Sequence, residues 1–235
     1  MGYGKISLFR NLSFTLQNPG FLAIVGHNGS GKSSFFKAFL QQIPYQGEIF
    51  FNGVNLRTVK KSSPLFKEIG FLGQKNAINF EISVRELMVM GRFKHKGFLD
   101  NYSDEDYQKV FDIAKEFDLS VLLDQDFNSL SGGEQQLVWL SQLALQDTPV
   151  FCLDEPTQQL DVYNKKRVFS ILNNWVANDG KLVICITHDI NNLEVVNGSI
   201  INFSEAQPEI EPIGHDSIQR HLAFLEKEKN LSSHS

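Results

Sequence analysis

The feature that most constrains this chain is the stretch GHNGSGKS at residues 26–33, which fits the pattern G-x-x-x-x-G-K-[ST]. The preceding run, residues 20–26, is apolar without alternation, which is typical of a strand covered on both faces of a parallel sheet. Apolar residues along one side of the following segment predict a helix that Pro44 ends. Glycines in such a turn allow successive N–H groups to point at phosphate oxygens. The sequence therefore predicts a phosphate-binding loop between a buried strand and a helix.

Two side chains of this loop have expected roles. Lys32 would reach the β- and γ-phosphates of a nucleotide, and the Ser33 hydroxyl would ligate Mg²⁺. The start of the helix adds N–H donors and about half a positive charge. The nucleotide-binding candidates are Gly26, His27, Asn28, Gly29, Ser30, Gly31, Lys32, Ser33 and Ser34.

An acidic pair follows a second short apolar run, residues 149–154. Asp154 stands where the carboxyl end of a parallel strand is expected, which is where ligands bind in such sheets. It can hold Mg²⁺ directly or through water. Glu155 is not needed for the metal, and its carboxylate can accept a proton from an attacking water. The alternative for an isolated Asp-Glu pair is a solvated turn.

Composition excludes several classes of protein. The chain has 235 residues, is 42% hydrophobic and carries a formal net charge of −5, which argues against a disordered chain and against nonspecific nucleic-acid binding. No apolar run reaches the roughly 18 residues that cross a bilayer, and the first residues lack the apolar region of a signal peptide. We expect a soluble, cytosolic protein in which Cys152 and Cys185 are small core residues.

The pattern along the chain predicts one domain with an insertion. Residues 181–187 form a third buried strand, and residues 47–54 read as an antiparallel strand with a turn at Asn52-Gly53. Helical spacing dominates from about 84 to 146, and residues 216–229 resemble an amphipathic helix before a frayed end at 231–235. We therefore expect an α/β fold with a mainly parallel sheet and a small antiparallel β subdomain. Its parts are the α/β core (1–75 and 147–205), a helical signature subdomain (76–146) and a C-terminal helix and tail (206–235).

The segment Leu130-Ser131-Gly132-Gly133-Glu134-Gln135-Gln136 narrows the family. It resembles the LSGGQ-like signature of the ATP-binding cassette (ABC) family, and the resemblance spans nearly the whole chain. It implies a P-loop NTPase (RecA-like) core that binds ATP and Mg²⁺ and hydrolyses ATP.

The resemblance also implies roles for individual residues. Gln74 fits the Q-loop, Gln159-Leu160-Asp161 fits the D-loop, His188 fits the switch histidine, and Tyr3 suits the aromatic residue that stacks on adenine. The implied catalytic residues are Glu155, His188 and Gln74, the implied metal ligands are Ser33, Gln74 and Asp154, and the further nucleotide contacts are Tyr3, Ser131, Gly132, Gly133, Glu134 and Asp161. We expect the remaining histidines at the surface: His95, His215, His221 and His234.

The signature has a physical logic in this family. Residues 131–133 would begin a helix whose free N–H groups form a second anion site. Two family subunits pack head to tail, so that each signature grips the γ-phosphate held by the other's phosphate loop. The resemblance implies a homodimer that ATP closes and hydrolysis opens.

A chain of this kind needs a membrane partner to drive transport. The resemblance implies an integral-membrane permease whose short helix docks near residues 75–85, and it places the chain on the cytoplasmic face of the inner membrane. Residues 87–95, LMVMGRFKH, resemble a segment with GR-x-x-H that is typical of importers for iron-siderophores, haem, cobalamin and some metal ions. Such importers also work with a substrate-binding protein.

Other functions remain open at this stage. An exporter or a lipid-release system would use the same ATPase. A soluble ABC ATPase that remodels nucleic acid or ribosomes is less consistent, since the stretch between Lys32 and Ser131 leaves no room for long coiled coils. A non-hydrolysing subunit is disfavoured by the complete set Lys32, Gln74, Ser131, Asp154, Glu155 and His188.

Overall fold

The computed structural model describes residues 2–3, 6–7, 12–60, 62–73, 78–97 and 100–232. Ten strands are present among them: β1 Gly2–Tyr3, β2 Ile6–Ser7, β3 Gly20–Val25, β4 Phe50–Phe51, β5 Val54–Asn55, β6 Ile69–Leu72, β7 Val150–Asp154, β8 Leu182–Ile186, β9 Ser199–Asn202 and β10 Ile210–Pro212. Six α-helices accompany them: α1 Lys32–Phe39, α2 Val84–Val89, α3 Asp104–Glu116, α4 Gly132–Leu145, α5 Val162–Ala177 and α6 His215–Ser232.

The main sheet has six strands in the order β10–β9–β3–β8–β7–β6. Neighbouring strands from β9 to β6 are parallel, and the edge pair β10–β9 is antiparallel. The carboxyl ends of β3, β8, β7 and β6 therefore lie at one edge of the sheet. Because β8 stands between β3 and β7, the residues that follow β8 lie between the loops that follow the other two strands.

Both faces of the central strands are buried, which explains their continuous apolar sequences. In β3, Leu22 and Ile24 belong to the core cluster that includes α1, whereas Phe21, Ala23 and Val25 belong to the cluster shared with α2 to α5. Each of these five side chains is at most 4% exposed. The predicted α/β fold with a mainly parallel sheet is confirmed.

The two cysteines lie in neighbouring strands but on opposite faces of the sheet. Cys152 belongs to the cluster with α1, and Cys185 belongs to the other cluster. Both thiols are free and fully buried, and burial raises the pKa of each well above its usual value. The predicted role as small core residues is confirmed.

The three helices α2, α3 and α4 of the signature region, residues 76–146, begin with the same type of cap. Ser83, Ser103 and Ser131 each cap a helix and form a capping box with an acidic residue three positions later. The helix α2 passes into a 3₁₀ segment, Met90–His95, before α3 begins. These caps fix where α2, α3 and α4 start, and the three helices pack against one another.

Element ends differ from the predictions in two places. The helix α1 stops at Phe39, and Gln41 adopts a left-handed φ of 56°, so the helix ends before Pro44. The last helix continues through Ser232, which contradicts the expected fraying for Leu231 and Ser232, and residues 233–235 lie outside the described part. The predicted turn is confirmed, because Asn52 and Gly53 both have positive φ and join β4 to β5. The proposed boundaries of the core and the insertion stay a prediction.

Among the residues that the structure describes, no helix combines the length and the apolar character that a membrane span requires.

Candidate nucleotide-binding site

The phosphate loop connects β3 to α1 at the carboxyl edge of the sheet. Gly31, immediately before α1, has a φ of 96°, a conformation that glycine adopts without strain. Gly26 has a φ of 144°, and a Cβ there would lie 2.7 Å from Ser30 Oγ and 2.9 Å from Ser204 Oγ. Side chains are thus excluded where the loop turns most tightly, as the sequence pattern predicts.

Lys32 lies inside this loop and is 6% exposed. Its Nζ donates hydrogen bonds to Gly26 O at 2.6 Å and to His27 O at 3.0 Å. Burial lowers the pKa of this ammonium group, and the charges of Glu155 and Asp154 partly offset that effect. The cation is therefore held at the centre of the loop with the acidic pair close enough to interact.

Asp154 ends β7, and its side chain faces the start of α1. It is 6% exposed, and the Ser33 side chain hydrogen-bonds to its carboxylate. Burial raises the Asp154 pKa, with a smaller contribution from the charge of Glu155, while Ser33 and Lys32 oppose the shift. The buried Asp154 Oδ1 accepts no hydrogen bond from the described residues. A hydroxyl and a partly unsatisfied carboxylate thus stand together beside the phosphate loop.

Glu155 and His188 face each other across the loops after β7 and β8. The His188 Nε2 lies 3.2 Å from Glu155 Oε1, and the Glu155 side chain is 17% exposed. The Glu155 N–H donates to Ile186 O at 2.9 Å, which connects the residue after β7 to the last residue of β8. The structure therefore brings together two residues that the family resemblance assigned to catalysis.

A second set of contacts holds the loop that contains His188. Asp189 accepts a hydrogen bond from Thr157 Oγ1 at 2.6 Å and an ion pair from Lys165 Nζ at 2.7 Å. The Asp189 N–H donates a hydrogen bond to Thr187 Oγ1, directly after β8, at 2.9 Å. These contacts connect the loop after β8, residues 187–189 and called the switch loop below, to Thr157 and to Lys165 of α5.

The signature begins α4. Ser131 Oγ donates to Glu134 Oε2 at 2.6 Å, the Ser131 N–H donates to the same oxygen at 2.8 Å, and Ser131 Oγ accepts from the Glu134 N–H at 3.4 Å. These hydrogen bonds lower the pKa of Glu134. Gly132 and Gly133 form the first turn of the helix, where backbone N–H groups have no intrahelical acceptor.

Residues 156–161, which include the predicted D-loop residues 159–161 and are called the D-loop from here on, join the acidic pair to α5. Asp161 caps α5, because its Oδ1 accepts from the Asn164 N–H at 2.8 Å. That backbone hydrogen bond is the main cause of the lowered pKa of Asp161. Val162 and Tyr163 follow at the surface and are 80% and 75% exposed. Asp161 is therefore a helix cap in this chain, and its predicted contact across a dimer stays a prediction.

Two predicted site residues cannot be placed. Gln74 lies outside the described residues, just after β6, whose carboxyl end is at the same edge of the sheet as the phosphate loop. Tyr3 is in β1, but its side chain is outside the described part. Asn28 and Gly29 form the exposed tip of the phosphate loop, and Ser34 is a buried residue of α1.

Two residues that hydrogen-bond to the phosphate loop or to each other, Ser204 and Asn202, were not identified from the sequence. The His27 N–H donates to Ser204 Oγ at 2.9 Å, and the Ser204 N–H donates to Asn202 Oδ1 at 2.9 Å. Both residues lie at the carboxyl end of β9, next to β3. Polar residues that follow an apolar strand are the signal that identified Asp154, and it was available here as well.

The prediction that His221 lies at the surface is wrong. Its side chain is 2% exposed, with Nε2 at 2.8 Å from Glu211 Oε1 and Nδ1 at 3.5 Å from Glu205 Oε1. The Asn202 side chain is 3.4 Å from its Nδ1. His221 is part of α6, and its ring is buried because α6 packs against the end of β9. This contact joins distant parts of the chain, and helical spacing alone does not reveal it.

Comparison with known proteins agrees with this geometry. A model of the family described as ABC transporter matches residues 9–158. The hemin import ATP-binding protein of Idiomarina loihiensis is 33% identical over 200 residues, which cover 81% of this chain and 74% of the relative. The ferric enterobactin transport ATP-binding protein of Escherichia coli is 29% identical over 192 residues, covering 81% and 71%.

A solved structure shares the fold. It is a dimeric ATP-binding cassette in a post-hydrolysis state, bound to ADP and Pi, with 26% identity and a TM-score of 0.75 over 89% of this chain and 93% of that one. The phosphate loop, the acidic pair and the signature thus define an ATP-binding cassette. The chain belongs to the ABC transporter family, and it is an ATPase subunit of that family.

Proposed function

We propose that this chain binds Mg-ATP at the phosphate loop, where Lys32 contacts the phosphates, and that Glu155, His188 and Gln74 carry out hydrolysis. The observation that carries the proposal is the convergence of Glu155, His188 and Lys32 at the carboxyl ends of the adjacent strands β7, β8 and β3. Backbone N–H groups of the loop and the start of α1 would hold the phosphates, with the Lys32 ammonium group as the cation among them.

Ser33 and Asp154 suit a magnesium ion. Mg²⁺ prefers oxygen ligands, and the buried Asp154 Oδ1 accepts no hydrogen bond from the described residues, so it has capacity for a cation. Gln74 is the third proposed ligand, on the family resemblance alone. The ion, when bound, neutralises charge on the β- and γ-phosphate oxygens.

The Glu155 carboxylate would act as the general base. It would accept a proton as the oxygen of a water attacks the γ-phosphorus, while the bond from that phosphorus to the β-phosphate oxygen breaks and leaves ADP and inorganic phosphate. His188, 3.2 Å from the carboxylate, would contact the γ-phosphate and orient the water.

The proposed active form is a head-to-tail homodimer. Ser131, Gly132, Gly133 and Glu134 of one subunit would contact the ATP held by the phosphate loop of the other. The position of these residues at the start of α4 supports this role, since a helix N-terminus favours anions. The dimeric state of the similar cassette supports it as well.

A permease is the proposed membrane partner, and its docking surface would lie on the signature region. Phe80, Met90 and Phe93 are 61%, 46% and 70% exposed there, although large apolar side chains are usually buried. Such residues would cover the apolar side of a short permease helix. The chain would thereby be held at the cytoplasmic face of the membrane.

The segment around Phe93 supports import of metal chelates. Arg92 is 6% exposed, contacts Asp106 Oδ1 at 3.2 Å and donates to Leu145 O at 3.1 Å, while His95 Nε2 is 2.9 Å from Gln146 O. The two polar residues of GR-x-x-H therefore anchor the segment and leave Phe93 exposed. The relatives that import hemin and transport ferric enterobactin make an iron chelate the favoured cargo, delivered by a substrate-binding protein.

A pull-down tests the proposal. Tagged Glu155→Gln protein would be incubated with detergent-solubilised membranes and Mg-ATP, and its partners would be identified by mass spectrometry, with Lys32→Ala as the matched control. We expect stoichiometric recovery of a polytopic permease of the importer type. Recovery of an exporter permease would replace the cargo assignment, and recovery of ribosomal or DNA-bound proteins instead would refute transport.

A further inference from the structure

The D-loop, residues 156–161, contacts the signature helix of the same chain. Gln136, on α4, donates a hydrogen bond from Nε2 to Pro156 O at 2.8 Å. Pro156 is buried and directly follows Glu155. One side-chain amide therefore connects the signature helix to the residue next to the proposed general base.

A second contact lies at the other end of the D-loop. A Cβ on Gly132 would lie 2.5 Å from Gln159 Oε1, and a Cβ on Gly133 would lie 3.3 Å from Gln159 O. Leu160 next to it is 7% exposed and belongs to the core. The D-loop therefore lies directly against the two signature glycines.

The other two glutamines of α4 donate their side-chain hydrogen bonds elsewhere. Gln135 Nε2 donates to Phe127 O at 3.1 Å and to Leu130 O at 3.3 Å, and Gln142 Nε2 donates to Leu87 O at 3.3 Å. These acceptors all belong to the signature region itself. Among the three side-chain amides of this helix, it is that of Gln136 that reaches the loop after β7.

We propose that Gln136 is a positioning residue that couples the two ATP sites of the dimer. The inference rests on the proposed head-to-tail arrangement, in which the signature of one chain contacts the partner's ATP while its Glu155 acts on its own. A displacement of α4 by the distant phosphate is passed through Gln136 to Pro156 and so to the Glu155 carboxylate. Each site then hydrolyses ATP efficiently when the other is filled.

The test compares three full-length variants with the wild type. Gln136→Met removes the donor at similar size, Gln136→Glu replaces it with an acceptor that faces the Pro156 carbonyl, and Gln142→Met is the matched control on the same helix. The ATP dependence of steady-state hydrolysis gives kcat, KM and a Hill coefficient. The affinity of the monomer for a fluorescent ADP analogue tests whether the phosphate loop is intact. The thermal unfolding temperature tests whether the fold is intact.

We expect a wild-type Hill coefficient well above 1, approaching the ceiling of about 2 that a two-site dimer allows. In both Gln136 variants it should fall to about 1, with kcat lowered about 10-fold and ADP affinity within about twofold of the wild type. Gln142→Met should keep the wild-type cooperativity. A purely structural role would instead lower the unfolding temperature and leave the Hill coefficient of the folded fraction unchanged.

The outcomes separate this inference from the proposed function. Unchanged cooperativity in both folded Gln136 variants overturns the coupling role, and so does a wild-type Hill coefficient of about 1 in a chain that dimerises with ATP. If one variant does not fold, the other decides. Absence of ATP-driven dimerisation in wild-type and Glu155→Gln protein would refute the head-to-tail proposal itself, and the coupling role with it.

Discussion

Glu155 has a backbone conformation that few residues with a side chain adopt. Its φ is 55°, in the left-handed region, and its N–H bonds to Ile186 O at 2.9 Å. Strain of this kind persists where the surrounding structure imposes it, often at functional sites. The residue in this conformation is the one whose carboxylate lies 3.2 Å from His188 Nε2.

The first prediction concerns this carboxylate. Glu155→Gln should keep ATP binding and lower turnover by about 10²–10⁴-fold, because an amide cannot accept the proton of the attacking water. Steady-state phosphate release and equilibrium ATP binding measure the two quantities. Glu194→Gln, at an exposed position after the switch loop, is the control that should match the wild type. Turnover near the wild-type rate would remove Glu155 from the role of general base.

The second prediction concerns the buried ammonium group of the phosphate loop. Lys32→Ala should weaken ATP affinity by about 10–100-fold, since a charge-assisted hydrogen bond contributes about 1.5–3 kcal/mol. Equilibrium dialysis or a fluorescent nucleotide would measure the dissociation constant. Lys166→Ala, an exposed lysine of α5, serves as the comparison. Equal affinities in the two variants would contradict the phosphate-loop assignment.

At the scale of elements, one buried carboxylate anchors the segment that carries Phe93. Asp106, at the start of α3, is 4% exposed and contacts Arg92, Lys96 and Ser103. Burial by itself would raise the Asp106 pKa, but hydrogen bonds from Lys96, Ser103 and Arg92 outweigh it and hold the pKa well below its usual range. The carboxylate is therefore charged in the folded protein.

The third prediction follows from that anchor. Asp106→Asn should lower the free energy of unfolding by about 3–5 kcal/mol at pH 7, because Arg92 and Lys96 lose their counter-charge in a buried site. Urea unfolding measures it, with the exposed Asp104→Asn on the same helix as the control.

The pH dependence of this effect has a definite sign. The folded-state pKa of Asp106 lies below its value in the unfolded chain, which is about 3.9. The stability that the carboxylate contributes is present above that unfolded value and is lost as the pH falls through the folded one. The difference between wild type and Asp106→Asn should therefore shrink as the pH falls below about 4. A constant difference over that range would contradict the anchor.

The elements themselves were largely predictable. Three continuously apolar runs became β3, β7 and β8, and the dipeptide Asn52-Gly53 became the predicted turn. These predictions are correct because a strand buried on both faces requires a run of apolar residues, and a turn with positive φ favours Asn and Gly. The 3₁₀ segment Met90–His95 was not predicted, because its course depends on the contacts of Arg92 and His95 with the end of α4.

At the scale of the whole molecule, the fourth prediction tests the dimer. Ser131→Arg should abolish ATP-driven dimerisation while sparing nucleotide binding to the monomer, because the larger side chain would occupy the space required by the partner's phosphates. Light scattering with Mg-ATP in a Glu155→Gln background measures it, and Ser120→Arg, at an exposed position of the signature region, is the control. Loss of the Ser131 cap should cost about 1 kcal/mol of stability, which thermal unfolding reports separately. Dimerisation equal to the control would defeat the cross-subunit arrangement.

The sequence by itself determined the phosphate loop, the acidic pair, the signature cap and the alternation of strands and helices. Each of these features depends on residues within about one or two helical turns of each other in the sequence. Over that distance, glycine conformations, helix caps and apolar periodicity determine the local backbone structure. Tertiary structure alone decided that β8 lies between β3 and β7, so that His188 meets Glu155, that α6 buries His221, and that Gln136 reaches Pro156. Those contacts join residues distant in the chain, and they form only when the sheet and the helices pack together and bury their apolar faces.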